Sequence, residues 1–216
     1  MEHRQTSAIT TSGLMMGSSR RKREIRKVYS VFVDGETEKW YLDLLKEYER
    51  DRLPRIDIIP EIPKTKKLKD LDELIRSNAE DYEMVFWVVD LDAVQHNDQM
   101  DSFLKIVREL KRIENVRVLV NNPCLEFWFL LHMKDTSRVF TRCSKVEKQL
   151  RKYPALKNYE KTEKYYKKPN NDIYRKMKPF QRTAFSNANK LGEFSLNEPY
   201  QAKAEINQIL DLLLEP

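Results

Sequence analysis

Two apolar runs in this chain end in carboxylates: Val31-Phe-Val-Asp-Gly-Glu-Thr-Glu38 and Met84-Val-Phe-Trp-Val-Val-Asp-Leu-Asp92. Each reads as a buried strand that stops abruptly at acids. A carboxylate beside an apolar strand is costly unless something positive offsets it. Ligands of open α/β sheets bind at the carboxyl ends of the strands, so Asp34, Glu36, Glu38, Asp90 and Asp92 are expected to meet there. Oxygen donors of this kind suit a hard divalent cation, Mg²⁺ or Mn²⁺. Residues two apart on a strand share a face, so Asp90 and Asp92 can converge on one ion where the strand ends. The competing role for such a pair is turn formation or helix capping. Asp34 precedes Gly35, which permits a tight turn or the close approach of a ligand. Thr37 is expected to cap the following helix, with Glu38 in its first turn, where the dipole favours an anion. Simple helix stabilisation competes with a functional role for Glu36 and Glu38.

Hydrophobic periodicity supplies the elements that would hold these acids. Strands are expected over 28–34, 55–60, 84–90 and 116–120. Helices are expected over 37–50, with Trp40/Tyr41, Leu44/Leu45 and Tyr48 at three-to-four spacing, and over 68–79 and 99–113. The order βαβαβαβ, with these segment lengths, fits crossovers onto a parallel four-stranded sheet flanked by helices. An apolar helix follows over 125–133. Glu126 lies in its first turn and is a candidate metal or outer-shell carboxylate; His132 near its end reads as structural. Pro154, Pro169 and Pro179 break the next stretch into short pieces, and helices near 179–191 and 200–214 close the chain. Residues 1–25 read as an unstructured basic tail in which Met15 or Met16 is a possible natural start. Residues 26–133 read as the α/β core, and 134–216 as a basic, mainly helical region packing on it.

Composition removes several alternatives. No apolar stretch in the 216 residues approaches the length of a membrane span, and Thr6 to Ser19 is too polar for a secretory h-region. The only cysteines, Cys124 and Cys143, form no CxxC, and the three histidines have no ligand spacing. Neither a disulfide framework nor a zinc site is expected, and the expected compartment is a reducing cytoplasm. Of four glycines, Gly35 alone lies in the α/β part, which excludes a Walker loop and a GxGxxG dinucleotide loop.

The net charge of +6 is unevenly placed. Between Lys134 and Arg182 there are sixteen Lys/Arg against five Asp/Glu, and the rest of the chain is net acidic. Tyr153, Tyr159, Tyr165, Tyr166 and Tyr174 lie among these bases. Basic groups neutralise phosphates and aromatic rings stack on unpaired bases. Lys148, Arg151, Lys152, Lys164, Tyr165, Lys167, Lys168, Arg175, Lys176 and Lys178 are therefore the expected nucleic-acid contacts. Arg20-Arg-Lys-Arg23, with Arg26 and Lys27, forms a second basic cluster. A solvated surface is the competing reading of both.

An acid followed by Gly after the first strand, then DxD after a later one, resembles the Toprim domain. That resemblance implies that Asp34 is the acid/base or metal-linked carboxylate and that Asp90 and Asp92 are metal ligands. Toprim domains usually carry Glu where this chain has Asp34, an acid one methylene shorter. The block Asn122-Pro-Cys-Leu-Glu126-Phe-Trp128-Phe-Leu-Leu-His132, with Gly-Glu-Thr-Glu-x-x-Tyr at 35–41, resembles the RloB family, a Toprim-like group encoded near restriction–modification and phage-defence loci. AFSNANKL at 184–191 and Glu198-Pro-Tyr extend the likeness, which runs from about 25 to 214. This chain departs from that family in the apolar Leu91 inside DxD and in His96, four positions beyond it. The resemblance implies a Mg²⁺-dependent nuclease in antiphage defence, often beside an ATPase partner.

The leading expectation is metal-dependent phosphodiester hydrolysis of DNA or RNA. Asp90 and Asp92 would hold the ion, Asp34 or Glu38 would position or deprotonate water, and the basic stretch would hold the strand. A haloacid-dehalogenase-type phosphatase fits Asp90-Leu-Asp-Ala-Val94 but lacks that family's later acidic motif. A non-catalytic nucleic-acid sensor working through a partner ATPase is the main alternative.

Overall fold

The computed structural model describes residues 27–52 and 56–214. The expected tail, its Arg20–Arg23 cluster and its alternative starts lie outside the described residues. The α/β part runs β1 (Lys27–Phe32), α1 (Glu36–Tyr48), β2 (Ile56–Glu61), α2 (Leu68–Asp81), β3 (Met84–Asp90), α3 (Leu91–His96), α4 (Met100–Leu110), β4 (Val116–Asn122) and α5 (Leu125–Met133). Shorter helices follow: α6 (Cys143–Leu150), α7 (Glu163–Tyr166) and α8 (Ile173–Met177). The described chain closes with α9 (Gln181–Leu191), β5 (Lys203–Ala204) and α10 (Asn207–Leu214).

The sheet has five strands in the order β2-β1-β3-β4-β5. The first four are parallel, as their apolar composition predicts for strands covered on both faces. The fifth is antiparallel to β4, pairing Asn121 with Ala204 and Asn122 with Lys203. This fifth strand corrects the expected four-stranded sheet. It has no strand pattern of its own, and Glu205 anchors it by accepting the amides of Val120 (2.8 Å) and Phe194 (2.5 Å).

Alternation along the strands divides the core in two. Tyr29, Val31, Phe86, Val88 and Leu119 face α1, α5 and the C-terminal region, including Tyr159, Tyr166, Tyr174, Ile206 and Leu210. Phe32, Val85, Trp87, Val89, Val118 and Val120 face α2 and α4 through Leu71, Ile75, Phe103 and Val107. The basic C-terminal part thus shares one buried cluster with the sheet. That packing places Tyr159, Tyr166 and Tyr174 in the interior, at 0, 0 and 2% exposure. They pack edge-on or tilted against Phe129 and Tyr41, with Tyr174 stacked on Tyr48, which removes them as platforms for nucleic-acid bases.

Because β2 and β3 lie on opposite sides of β1, the chain changes winding direction between β1 and β3. The carboxyl ends of those two strands are where this architecture opens a crevice for ligands.

Candidate functional site

Asp34 follows β1 by two residues, and Asp90 is the last residue of β3. Asp34 Oδ2 accepts the Asp90 amide at 2.8 Å, tying the two strand ends together. Asp90 and Asp92 in turn hold two distant helix starts. Asp90 Oδ1 accepts the Leu125 amide at 3.0 Å, and Asp92 Oδ2 accepts the Cys143 amide at 2.9 Å. Leu125 opens α5 and Cys143 opens α6, so these carboxylates satisfy amides that a helix cannot pair internally. The capping role is real, but the helices capped are remote ones. Each Asp spends one oxygen on a backbone amide, and its other oxygen accepts from no donor among the described residues.

Glu38 lies one turn into α1 and is buried. Gly35, rather than Thr37, occupies the N-cap, so the expected Thr37 cap is corrected. Thr37 instead donates its hydroxyl to Glu38 Oε1 at 3.1 Å. A Cβ at Gly35 would meet Glu38 Oε2 at 3.2 Å, so that carboxylate would have to give by a few tenths of an ångström. Glu126, at 0% exposure, receives the Tyr159 hydroxyl at 2.5 Å and pairs with Lys161 Nζ at 3.0 Å, both on Oε1.

The electrostatics of this cluster are strained. Loss of hydration pushes Asp34 up from 3.8 to about 6, with the charge of Asp92 adding to the shift against Lys66 and the Asp90 amide. Burial and then the charges of Glu38, Glu126 and Asp34 push Asp90 well above the usual carboxylate range. Glu38 and Glu126 are raised chiefly by burial and secondly by neighbouring acids, with Lys161 opposing. A folded carboxyl that keeps its proton above the unfolded value loses stability as pH rises through that interval. For Asp34 this interval runs from 3.8 to about 6. At neutral pH the cluster therefore destabilises the fold unless a cation joins it.

Asn121 adds a side-chain amide to this cluster. It sits opposite Asp90 in the β3–β4 ladder, so the two side chains share a face. It is fully buried, yet neither side-chain oxygen nor nitrogen has a partner among the described residues. Unpaired amides in dry surroundings cost stability, and one beside a ring of acids is suited to binding a hydrated cation.

Asp92 is half-buried and marks the mouth of the cluster. It lines a cavity of about 600 Å³ together with Gln95, His96, Thr141, Arg142, Cys143 and Ser144. The fold brings together all the acids singled out from sequence except Glu36, which is exposed. Sequence reasoning gave no separate role to Lys161, which is embedded in a charge run, or to Asn121.

One expectation is overturned. Cys124 and Cys143 form a disulfide, with Cα atoms 5.7 Å apart. Cys124 is the N-cap of α5 and Cys143 the first residue of α6, so the same helix starts held by Asp90 and Asp92 are also bonded covalently. The linear separation of nineteen residues gives no hint of this.

The expected nucleic-acid contacts divide into two sets. Arg151, Lys167, Arg175 and Lys178 pair with Glu147, Glu163, Asp172 and Glu49. Lys152 donates to Gln149, and Lys176 lies 3.9 Å over the ring of half-buried Tyr165. Lys148, Lys164 and Lys168 are exposed without an ion-pair partner among the described residues. His132 is buried, with Nδ1 2.9 Å from the Trp128 carbonyl and Nε2 without a partner among the described residues. No helix among the described residues is long and apolar enough to cross a membrane.

A family model described as RloB-like protein matches residues 29–213. No curated protein and no solved structure matches the chain.

Proposed function

The chain belongs to the RloB-like family, and from that premise we propose that it is a divalent-metal-dependent nuclease hydrolysing phosphodiester bonds of DNA or RNA. The observation that carries this reading is the strained group Asp34, Glu38, Asp90 and Glu126. All four are held above their ordinary ionisation range by burial and mutual repulsion. Groups so perturbed, at the sheet's crevice, are the expected signature of a site that functions with a cation present. The donor set is all oxygen, which suits Mg²⁺ or Mn²⁺. The unpaired Asn121 beside Asp90 has the polarity to bind one of the ion's waters.

Asp90 and Asp92 would hold the ion through the oxygens they do not spend on the α5 and α6 amides. Bound there, Mg²⁺ would supply Lewis-acid stabilisation of charge on the phosphate. Asp34 stands at the neighbouring strand end with its proton affinity raised towards neutrality, and it takes the proton of the attacking water. Glu38, anchored by Thr37, orients that water. Lys161 neutralises Glu126 at rest and offers its ammonium to the anionic substrate at the cluster. The cavity beside Asp92 admits the strand, and Lys148, Lys164 and Lys168 contribute unpaired positive charge. By family resemblance the setting is antiphage defence with an ATPase partner.

A second reading has a specific observation in its favour. Asp90 and Asp92 cap helices, a role that a non-catalytic nucleic-acid sensor would also need. Incubation of wild type and an Asp90→Asn/Asp92→Asn double variant with plasmid DNA, single-stranded DNA and total RNA separates the two. We expect cleavage with Mg²⁺ or Mn²⁺ that is abolished by EDTA and reduced at least about 100-fold in a still-folded variant. Equal binding by both proteins with no cleavage, with the partner ATPase also supplied, would establish the sensor reading instead.

A further inference from the structure

A different set of donors lies just behind Asp92. Cys124 Sγ, Cys143 Sγ and a carboxylate oxygen of Glu126 all lie within 4.8 Å of one another, and all three residues are buried. We infer that, when the Cys124–Cys143 bond is reduced, these three side chains form a binding site for a borderline-soft divalent cation, zinc. This site shares Glu126 with the acid cluster of the nuclease reading but takes its other two donors from the cysteines, so the two can fail separately.

Four features of the fold support it. The first is that reduction does not release the cysteines. The Cys143 amide stays on Asp92 at 2.9 Å, and the Leu125 amide, next to Cys124, stays on Asp90 at 3.0 Å. Both helix starts therefore remain pinned by hydrogen bonds, with the sulfurs on facing backbone segments.

The second is the support of the carboxylate. Glu126 receives the Tyr159 hydroxyl at 2.5 Å, and the Tyr159 and Tyr166 hydroxyl oxygens are 2.6 Å apart. An outer chain of this kind orients a metal-ligating side chain and tunes its basicity.

The third is that the pocket already holds positive charge. Lys161 Nζ lies 3.0 Å from Glu126 Oε1 and 3.3 Å from Cys143 Sγ, and its side chain is 35% exposed, so the incoming ion takes over the charge balance that this ammonium now provides. The fourth is the donor chemistry. Two thiolates and one carboxylate make a three-ligand zinc set that leaves one position for water or a substrate oxygen, whereas a disulfide is a poor ligand.

The redox step balances. A dithiol delivers two electrons and two protons to the S–S bond, giving two thiols here and a disulfide on the reductant. Zinc then displaces the two thiol protons to solvent. The spacing of the cysteines hides the site from sequence patterns because Glu126 falls between them and the two sulfurs come from different helices.

The test uses Co²⁺ as a spectroscopic probe for zinc, on the full chain reduced with a phosphine that is then removed without air. We expect a thiolate-to-cobalt charge-transfer band and the visible bands of a tetrahedral ion, saturating at about one equivalent and bleached by Zn²⁺. The oxidised wild type, which needs no substitution and so carries no folding risk, should show none of these bands. Cys143→Ser should remove them, and Tyr159→Phe should keep them with about 10- to 100-fold weaker binding. Asp34→Asn, which alters neither the cysteines nor the amides that hold them, should keep them as well, so loss of nuclease activity and loss of this site are read separately. A reduced wild type without the thiolate band, or a band unchanged in Cys143→Ser, would overturn the inference.

Discussion

At the level of single residues, the acids at the ends of β1 and β3 were legible because apolar strands that stop in carboxylates are expensive without a partner. Their use of remote amides was not legible, since which helix start meets Asp90 or Asp92 depends on tertiary packing. Lys161 was hidden among equivalent neighbours, and only the fold distinguishes it from Lys157 or Lys164. His132 illustrates a buried group with a directional consequence. Burial lowers it from 6.5 to about 4, so the folded protein leaves it neutral where the unfolded chain protonates it. The stability it contributes is full above about pH 6.5 and is lost as pH falls towards 4, by up to about 3 kcal/mol. Replacing it with Phe should flatten that part of the acid limb in denaturant titrations run at successive pH values. An unchanged limb would mean that other groups set it.

At the level of elements, the parallel βα units follow their periodicity closely: β3 occupies the expected 84–90 and α5 the expected 125–133. The short α3, directly after Asp90, and the two-residue β5 escaped because neither carries a repeating pattern. β5 exists because tertiary contacts hold it. Lys203 Nζ covers the carbonyls of Leu191 and Gly192 where α9 ends, and Gly192 takes a positive φ of 64° there. Glu205 meanwhile satisfies two amides. Glu205→Ala leaves both amides unpaired in the interior and should cost about 3 kcal/mol, read as a lower denaturation midpoint. A cost within a few tenths of a kcal/mol would show that water replaces the carboxylate.

Across the whole molecule, the positive charge between Lys134 and Arg182 serves two purposes that composition could not separate. Part of it is internal: Lys161 reaches the acid cluster, and Lys178 reaches buried Glu49. The tyrosines of the same stretch build the core that fixes this layer to the sheet. Lys148, Lys164 and Lys168 remain for an external anion. Replacing all three by Gln should weaken nucleic-acid binding and make the slope of log affinity against log salt shallower, by about 0.9 for each duplex phosphate that is no longer neutralised. Melting behaviour should stay close to wild type, because these side chains are exposed. An unchanged slope would place the nucleic-acid surface elsewhere.

A Mn²⁺ titration followed by calorimetry and electron paramagnetic resonance asks, without any assumption about substrate, whether the acids at the β1–β3 crevice hold a cation. It should be made on the disulfide-bonded protein, where the cysteines cannot contribute thiolates. Wild type should bind Mn²⁺ in competition with Mg²⁺, and Asp90→Asn should weaken that binding at least about 10-fold while the protein remains folded. Equal Mn²⁺ affinity in wild type and Asp90→Asn, or no binding by either, would mean that no cation is held there and that Asp90 and Asp92 serve as helix caps alone.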